Sequence, residues 1–176
     1  MGANQSGLDK ERLTAYKEDT GLSKGEIKRL FKRFIVLDKN GDHMVSRDEF
    51  LCIPEFFENP LKDRITDMFF GESETLSFDR FLRTLAVFSH RAPLANKQAF
   101  AFDLFDVDRS GKVSRNNMLV ILFLIVGNTM DMSEIQMLVD RTFLGLGVGQ
   151  DEDLCLETFK TALDGLDIGS LFTVSF

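Results

Sequence analysis

Tryptophan is absent, tyrosine occurs once, proline three times, and cysteine and histidine twice each. Each scarcity excludes something. Cys52 and Cys155 form neither a CxxC pair nor a ligand cluster, so a zinc site and a disulfide framework are both ruled out. They read as reduced thiols of a cytosolic protein. His43 and His90 have no serine, cysteine or metal-ligand constellation at useful spacing, so no catalytic apparatus is visible and the chain is read as not an enzyme. No apolar run reaches the roughly 20 residues of a membrane span; residues 118–126 are the longest, and the N-terminus lacks the apolar core of a signal peptide. Basic residues are outnumbered, with 21 Lys and Arg against 28 Asp and Glu. The resulting net charge of −7 repels phosphate backbones, which excludes nucleic acid as a partner. It suits metal cations or basic, amphipathic partner segments instead.

What the chain does have is phenylalanine, 18 residues of it, in a composition that is 44% hydrophobic over 176 residues. That length fits one domain or two small lobes. With strong helix formers and little proline, the excess of Phe points to many short helices packed on one another. An internal repeat gives those helices an order. Four polar loops each contain one β-favouring aliphatic, Val45, Leu76, Val113 and Leu154, followed five positions later by Phe50, Phe81, Met118 and Phe159. Both series step by 31, 37 and 41 residues. Ahead of the loops stand Phe34 and Leu37, Ile65 and Met68, Phe102 and Phe105, and Phe143 and Leu146. This is the helix–loop–helix register of EF-hands, in which the loop aliphatic forms a short strand against the neighbouring loop. The expected fold class is all-α: four hands in two paired lobes joined by short inter-loop ladders. The spans read as a leading segment 1–22, an N-lobe 23–88, a joint 89–96, a C-lobe 97–168 and a tail 169–176.

Helix ends are also legible. Ser23 with Glu26, and Asp131 with Glu134, have capping-box spacing. Asn59 followed by Pro60 predicts an N-cap and a proline at the first helical position.

A calcium loop needs oxygen ligands at positions 1, 3, 5, 7, 9 and 12, a bidentate carboxylate last, and glycine at 6. The first loop supplies Asp38, Asn40, Asp42, the Met44 carbonyl, Ser46 and Glu49, with His43 where glycine belongs. A left-handed backbone costs an L-residue about 1–2 kcal/mol, which weakens binding by about tenfold. Calcium is still expected there, and the same oxygens admit magnesium at rest. The third loop runs Asp106, Asp108, Ser110, Lys112, Ser114 and Asn117. Its first half is sound, but a neutral amide at position 12 is one methylene short of a bidentate Glu, so the loop is expected to be weak or empty. The second loop has Phe69 and Arg80 at its ends, and the fourth begins at Gly147 and ends at Thr158; both are expected to be silent. Two silent loops and one impaired loop make a poor calcium buffer.

Two further features bear on partners. Residues 1–6 fit the N-myristoylation pattern at Gly2, although a single acyl chain gives only reversible membrane contact. The helix from Met118 to Val126 is apolar all round, more than one core face requires. Met118, Leu119, Leu122, Phe123 and Val126 are therefore candidates for a groove wall, for burial, or for one side of each.

Met1 and Gly2 with Ser6, the Thr20 to Ser23 entry into the first hand, Ile53 to Glu55, Asn59 to Leu61 and Arg83 to Phe88 resemble the calcineurin B superfamily. Phe100 to Phe102, Val126 to Asn128 and Gly165 to Ile168 carry the resemblance through the second half. That superfamily includes calcineurin B, the calcineurin B homologous proteins and the calcium- and integrin-binding proteins. Thr20 to Ser23, Ile53 to Glu55, Arg83 to Phe88 and the Phe172 to Phe176 ending look most like the homologous proteins, which bind a juxtamembrane helix of sodium/proton exchangers. Val126 to Asn128, the short joint and the intact first loop look more like calcineurin B, the regulatory subunit of a serine/threonine phosphatase. Leu8 to Thr20 is similar to the start of the calcium- and integrin-binding proteins. The chain departs from the homologous proteins in lacking a long inter-lobe insert and a competent fourth loop, and from calcineurin B in not keeping four competent loops. The resemblance implies N-myristoylation and an apolar groove that receives a partner helix. The expected function is a cytoplasmic, calcium-binding regulatory subunit that clamps an amphipathic helix, with an exchanger tail as the leading partner. A phosphatase catalytic subunit is the alternative, and a calcium-independent structural light chain is a third reading.

Overall fold

The computed structural model describes residues 8–54 and 59–163. Gly2 with its acylation pattern, the residues Gly165 to Ile168 and the tail 169–176 lie outside the described residues. Those described form nine α-helices and one two-stranded sheet. The helices are α1 Lys10–Thr20, α2 Lys24–Leu37, α3 Arg47–Leu51, α4 Lys62–Phe70, α5 Phe78–Ala86, α6 Leu94–Phe105, α7 Arg115–Val126, α8 Met132–Gly145 and α9 Leu156–Leu163. The strands are β1 Met44–Ser46 and β2 Thr75–Ser77.

Both expected capping boxes form. Ser23 accepts from the Glu26 N–H while Glu26 accepts from the Ser23 N–H at 2.6 Å. Asp131 and Glu134 repeat the exchange ahead of α8. The Asn59 cap does not form as expected. Its side chain accepts from the Leu61 N–H at 2.9 Å and its carbonyl from the Lys62 N–H, which makes a turn. The helix then starts at Lys62 with no side-chain cap, two residues after the proline.

The four loop aliphatics pair as the repeat requires. Val45 faces Leu76 in an antiparallel ladder. Val113 and Leu154 exchange two backbone hydrogen bonds at 2.8 and 2.9 Å. All four side chains are fully buried. Each pair roofs its own core: Phe50, Phe69, Phe70, Phe78 and Phe81 in the first lobe, Phe102, Val139, Phe143 and Phe159 in the second. Phe78 is the hub of the first. Its ring meets Tyr16, Phe31, Phe34 and Phe81 at centroid distances of 5.6, 4.9, 5.5 and 6.5 Å. Through Tyr16 and Leu13 the leading helix α1 is built into this core, so it is a structural part of the N-lobe.

The second and fourth loops are held by arginines that reach across from their neighbours. Phe69, at position 1 of the second loop, is a core residue stacked near Phe50 at 4.9 Å. Arg47, at position 10 of the first loop, reaches across to it. Its guanidinium donates to the Gly71 carbonyl at 3.1 Å, pairs with Asp67 at 2.7 Å and lies on the Phe70 ring. Arg115 holds the equivalent position in the third loop and does more. It donates to the carbonyls of Gly149, Gln150 and Glu152 at 2.9, 2.7 and 3.1 Å, while covering the Phe143 ring at 4.2 Å. A guanidinium thus gathers three backbone oxygens of the fourth loop.

The lobes are joined at residues 89–93 by a tight turn, because α6 already begins at Leu94 and takes the last three positions expected of the joint. Arg91 in that turn donates back to the Gly21 carbonyl and to Glu26. From α4, Arg64 donates to the carbonyls of Asp103, Leu104 and Asp106. These are terminal carbonyls of α6, which lack helical partners and sit at the negative end of its dipole. One arginine therefore caps a helix of the other lobe at the entrance to the third loop.

Replacing Phe78 with alanine is expected to cost about 3–5 kcal/mol in urea unfolding, since an aromatic hub is lost and α1 loses its anchor. Arg115→Met is expected to cost about 1–2 kcal/mol. It should also speed hydrogen exchange at the Leu154 amide; unchanged exchange there rules out Arg115 as the brace of the fourth loop.

Candidate metal loops and apolar face

In the first loop the backbone turns left-handed twice, at Gly41 with φ 76° and at His43 with φ 67°. Asp38 makes that possible: Oδ1 accepts from the Gly41 N–H at 2.8 Å and Oδ2 from the His43 N–H at 2.9 Å. Asn40 Oδ1 accepts from the Asp42 N–H, and Asp42 Oδ1 from the Met44 N–H, each at 2.8 Å. Glu49 closes the ring. Its Oε2 accepts from both the N–H and the hydroxyl of Ser46 at 2.8 Å, while Oε1 reaches the Lys39 N–H at 3.0 Å. The Ser46 N–H, then the Ser46 hydroxyl, hold the Glu49 carboxyl below its usual range against a small opposing effect of burial, with Lys39 and Asn40 adding to it. It is therefore an anion at neutral pH, tied to both ends of the loop.

Among the described residues, no three His, Cys, Asp or Glu side chains are gathered as a ready-made metal site. Asp38, Asp42 and Glu49 are each turned to backbone donors instead. The donor set nonetheless fits a hard cation, because a carboxylate oxygen that accepts one N–H keeps a second lone pair.

The third loop has the same two left-handed positions with the residue types exchanged: Arg109 at φ 56° and Gly111 at φ 79°. Each loop thus has glycine at one left-handed position and an L-residue at the other. The strain expected at His43 alone is therefore matched at Arg109, which the usual loop pattern does not flag because it asks for glycine only at position 6. Asp106 is buried and accepts from Ser110 and Gly111 at 2.9 and 2.8 Å. The Ser110 hydroxyl donates to the Lys112 carbonyl at 3.2 Å. Asn117 is also buried, and its Oδ1 accepts from the N–H and hydroxyl of Ser114 at 3.0 and 2.9 Å. That arrangement leaves only its amide nitrogen for the loop interior. Asp108 is held below the usual carboxylate range, chiefly by the Ser110 hydroxyl, with the Asn117 amide among the smaller contributors. The ring-closing position therefore offers a donor where the first loop offers an anion.

The expected groove residues divide. Met118 belongs to the core, buried with Ile121, and is not part of an outer wall. Leu119 and Leu122 are half-buried against the same core, and Val126 is half-buried. Phe123 is 43% exposed, with Leu124 and Ile125 beside it also exposed. Helix α8 repeats the division: Ile135, Val139 and Phe143 point inward while Met132, Met137, Leu138 and Leu144 are exposed. An amphipathic α8 beside an α7 that is apolar on both sides leaves a run of uncovered apolar side chains on the C-lobe, beyond the scattered exposed residues usual in a monomer. No described helix is long and apolar enough to cross a membrane.

No family model matches the chain. Curated relatives do, along its whole length. The calcineurin B subunit of Naegleria gruberi is 34% identical over 175 residues, 99% of this chain and 99% of that protein. The calcineurin B subunit of Candida glabrata is 33% identical over 177 residues, 100% and 99% of the two chains. The type 1 calcineurin B subunit of Dictyostelium discoideum is 32% identical over 160 residues, 90% of this chain and 89% of its own. Similarity on that scale runs through both loop pairs and the turn between them, and with the paired-hand fold it shows that the chain belongs to the calcineurin B family.

Proposed function

We propose that this chain is a non-catalytic, calcium-binding regulatory subunit of a serine/threonine phosphatase, which holds an amphipathic helix of the catalytic subunit. The full-length similarity to calcineurin B carries this reading. It favours the phosphatase over the exchanger tail, because the relatives named above are calcineurin B chains and not the homologous proteins. The uncovered apolar side chains of α7 and α8, Phe123 among them, support a helix-in-groove contact. Leu119, Leu122 and Val126 form its inner edge.

Calcium is assigned to the first loop through Asp38, Asn40, Asp42, the Met44 carbonyl, Ser46 and Glu49, with magnesium as the competitor at rest. The ion supplies the positive charge that draws mutually repelling carboxylates together, and Glu49 transmits that pull to the start of α3. The third loop, with Asp106, Asp108, Ser110, Lys112, Ser114 and Asn117, binds weakly or stays empty. Gly2 heads a myristoylation pattern, and one acyl chain adds reversible contact with the cytoplasmic face of a membrane to a cytoplasmic protein.

A second reading rests on Arg47 and Arg115, which brace the silent loops with fixed positive charge. A structural light chain that binds its partner with or without calcium is therefore the competing function.

Glu49→Gln is expected to remove the tightest calcium event in calorimetry, weakening it at least about tenfold. An unchanged tight site in that variant assigns the ion elsewhere. Affinity capture from native extract, with calcium and with chelator in parallel, is expected to recover a phosphatase catalytic subunit. Recovery of an exchanger tail instead restores the other branch. Equal recovery in chelator makes the chain a structural light chain.

A further inference from the structure

Beside the lobe junction, on the side of the loop entrances, lies an open cleft of about 550 Å³ whose wall includes Arg64, Arg80, Arg83 and Arg109. In a protein of net charge −7 this is an unusual place for four guanidinium groups. Three aspartates share the wall, but they do not balance it. Asp67 is paired with Arg47 at 2.7 Å. The Asp106 carboxylate is turned into the third loop, onto Ser110 and Gly111. Burial and then the neighbouring Asp106 push the Asp103 carboxyl up, and Arg64 beside it opposes that push.

The arginines differ in what already satisfies them. Arg83 is shared by Asp19 and Asp79 at 2.5 and 2.9 Å. Arg64 gives its hydrogen bonds to backbone carbonyls of α6. The guanidinium groups of Arg80 and Arg109 have no hydrogen bond or ion pair among the described residues. Both line the cleft and are exposed. Arg80 lies over Gly71, where a Cβ would come within 2.5 Å of a guanidinium nitrogen and push that flexible end aside. Arg109 stands on a backbone at φ 56°, which an arginine adopts only at a cost. Its charge also acts on Arg64, whose guanidinium is lowered chiefly by burial and then by Arg109, with Asp67, Asp106 and Asp103 opposing. Unpaired like charges along one open cleft raise a local positive potential that an anion relieves.

We propose that this cleft is a docking site for the carboxylates of an acidic segment of a partner polypeptide, with Arg80 and Arg109 as the pairing residues. Its wall also includes Met68, Val87 and Phe100, which give such a segment apolar surface between its charges. Two unpaired forks at one cleft match the planar geometry of side-chain carboxylates. The acidic remainder of the surface repels the same segment, so charge selects this cleft over the rest of the molecule. Charge drives this contact and burial drives the one on the α7 and α8 apolar face, so the cleft stands independently of that face and of the phosphatase reading.

The test uses the full chain and a fluorescent polyglutamate peptide at low salt. Binding is expected, with a salt dependence that weakens it steadily. Arg80→Gln combined with Arg109→Asn is expected to weaken it at least about tenfold, and asparagine tolerates the left-handed backbone at that position. Lys28→Gln with Lys32→Gln on exposed α2 removes the same charge elsewhere and is expected to change affinity less than about twofold. Equal losses in the two double variants overturn the proposal, because net charge alone then explains binding. So does an absence of peptide binding, including the case in which inorganic phosphate binds and the peptide does not. Arg80→Lys with Arg109→Lys keeps the charge and the loop, and recovery of at least half the lost binding energy separates cleft charge from a folding defect.

Discussion

The loop-to-loop contact is the constraint on which the rest of this molecule depends. One aliphatic from each loop meets its counterpart across a short ladder or bridge, Val45 on Leu76 and Val113 on Leu154, with no exposure to water. A single hand leaves that side chain and the backbone groups beside it unsatisfied, so hands fold in pairs. The contact also explains why a silent loop cannot simply unravel. If the second or fourth loop lost its shape, its strand would leave the ladder, and the competent partner would lose the surface that fixes its own end.

Three arginines serve that constraint in one pattern. Arg47 and Arg115 occupy the same register position, and each reaches from a loop with metal ligands into the neighbour that lacks them. Arg64 does the same between lobes, collecting carbonyls at the end of α6. In every case a planar cation with several donors gathers backbone oxygens that no helix satisfies. Calcium performs that task in a competent loop reversibly and only when present. In the second and fourth loops a guanidinium performs it without an ion.

Much of this is legible in the sequence because it rests on periodicity. The paired aliphatics, the two capping boxes and the lobe cores follow from spacing alone. What escapes lies in long-range side-chain reach and in backbone conformation. Asn59 and Pro60 have the composition of a helix start, yet Asn59 closes a turn on Leu61 and the helix waits for Lys62. Arg64, Arg47 and Arg115 read as ordinary surface charges, since nothing in their neighbours predicts partners 20 to 42 residues away. Met118 and Phe123 cannot be told apart by composition, because both lie on an all-apolar helix and only the structure shows which side faces the core. Leucine-rich helices hide their orientation, and α8 does so too at Leu138, which lies at helical spacing from Ile135 yet is 43% exposed.

The first and third loops show how small a change alters the charge offered at the closing position. Both present a buried or half-buried aspartate at position 1 that organises two left-handed turns, and both carry one L-residue in that conformation at some cost. They differ at the last ligand. Glu49 brings an ionised carboxylate that links the loop's two ends, whereas Asn117 turns its only acceptor to Ser114 and presents a donor inward. An incoming cation therefore meets an acceptor in one loop and an N–H dipole of the wrong sign in the other. Each of these loops is paired with a neighbour that its own arginine already holds. Glu49 ties the first loop to the start of α3, whereas the apolar side chains of α7 and α8 belong to the other lobe, so the charged closing position and the apolar face lie on separate pairs of hands.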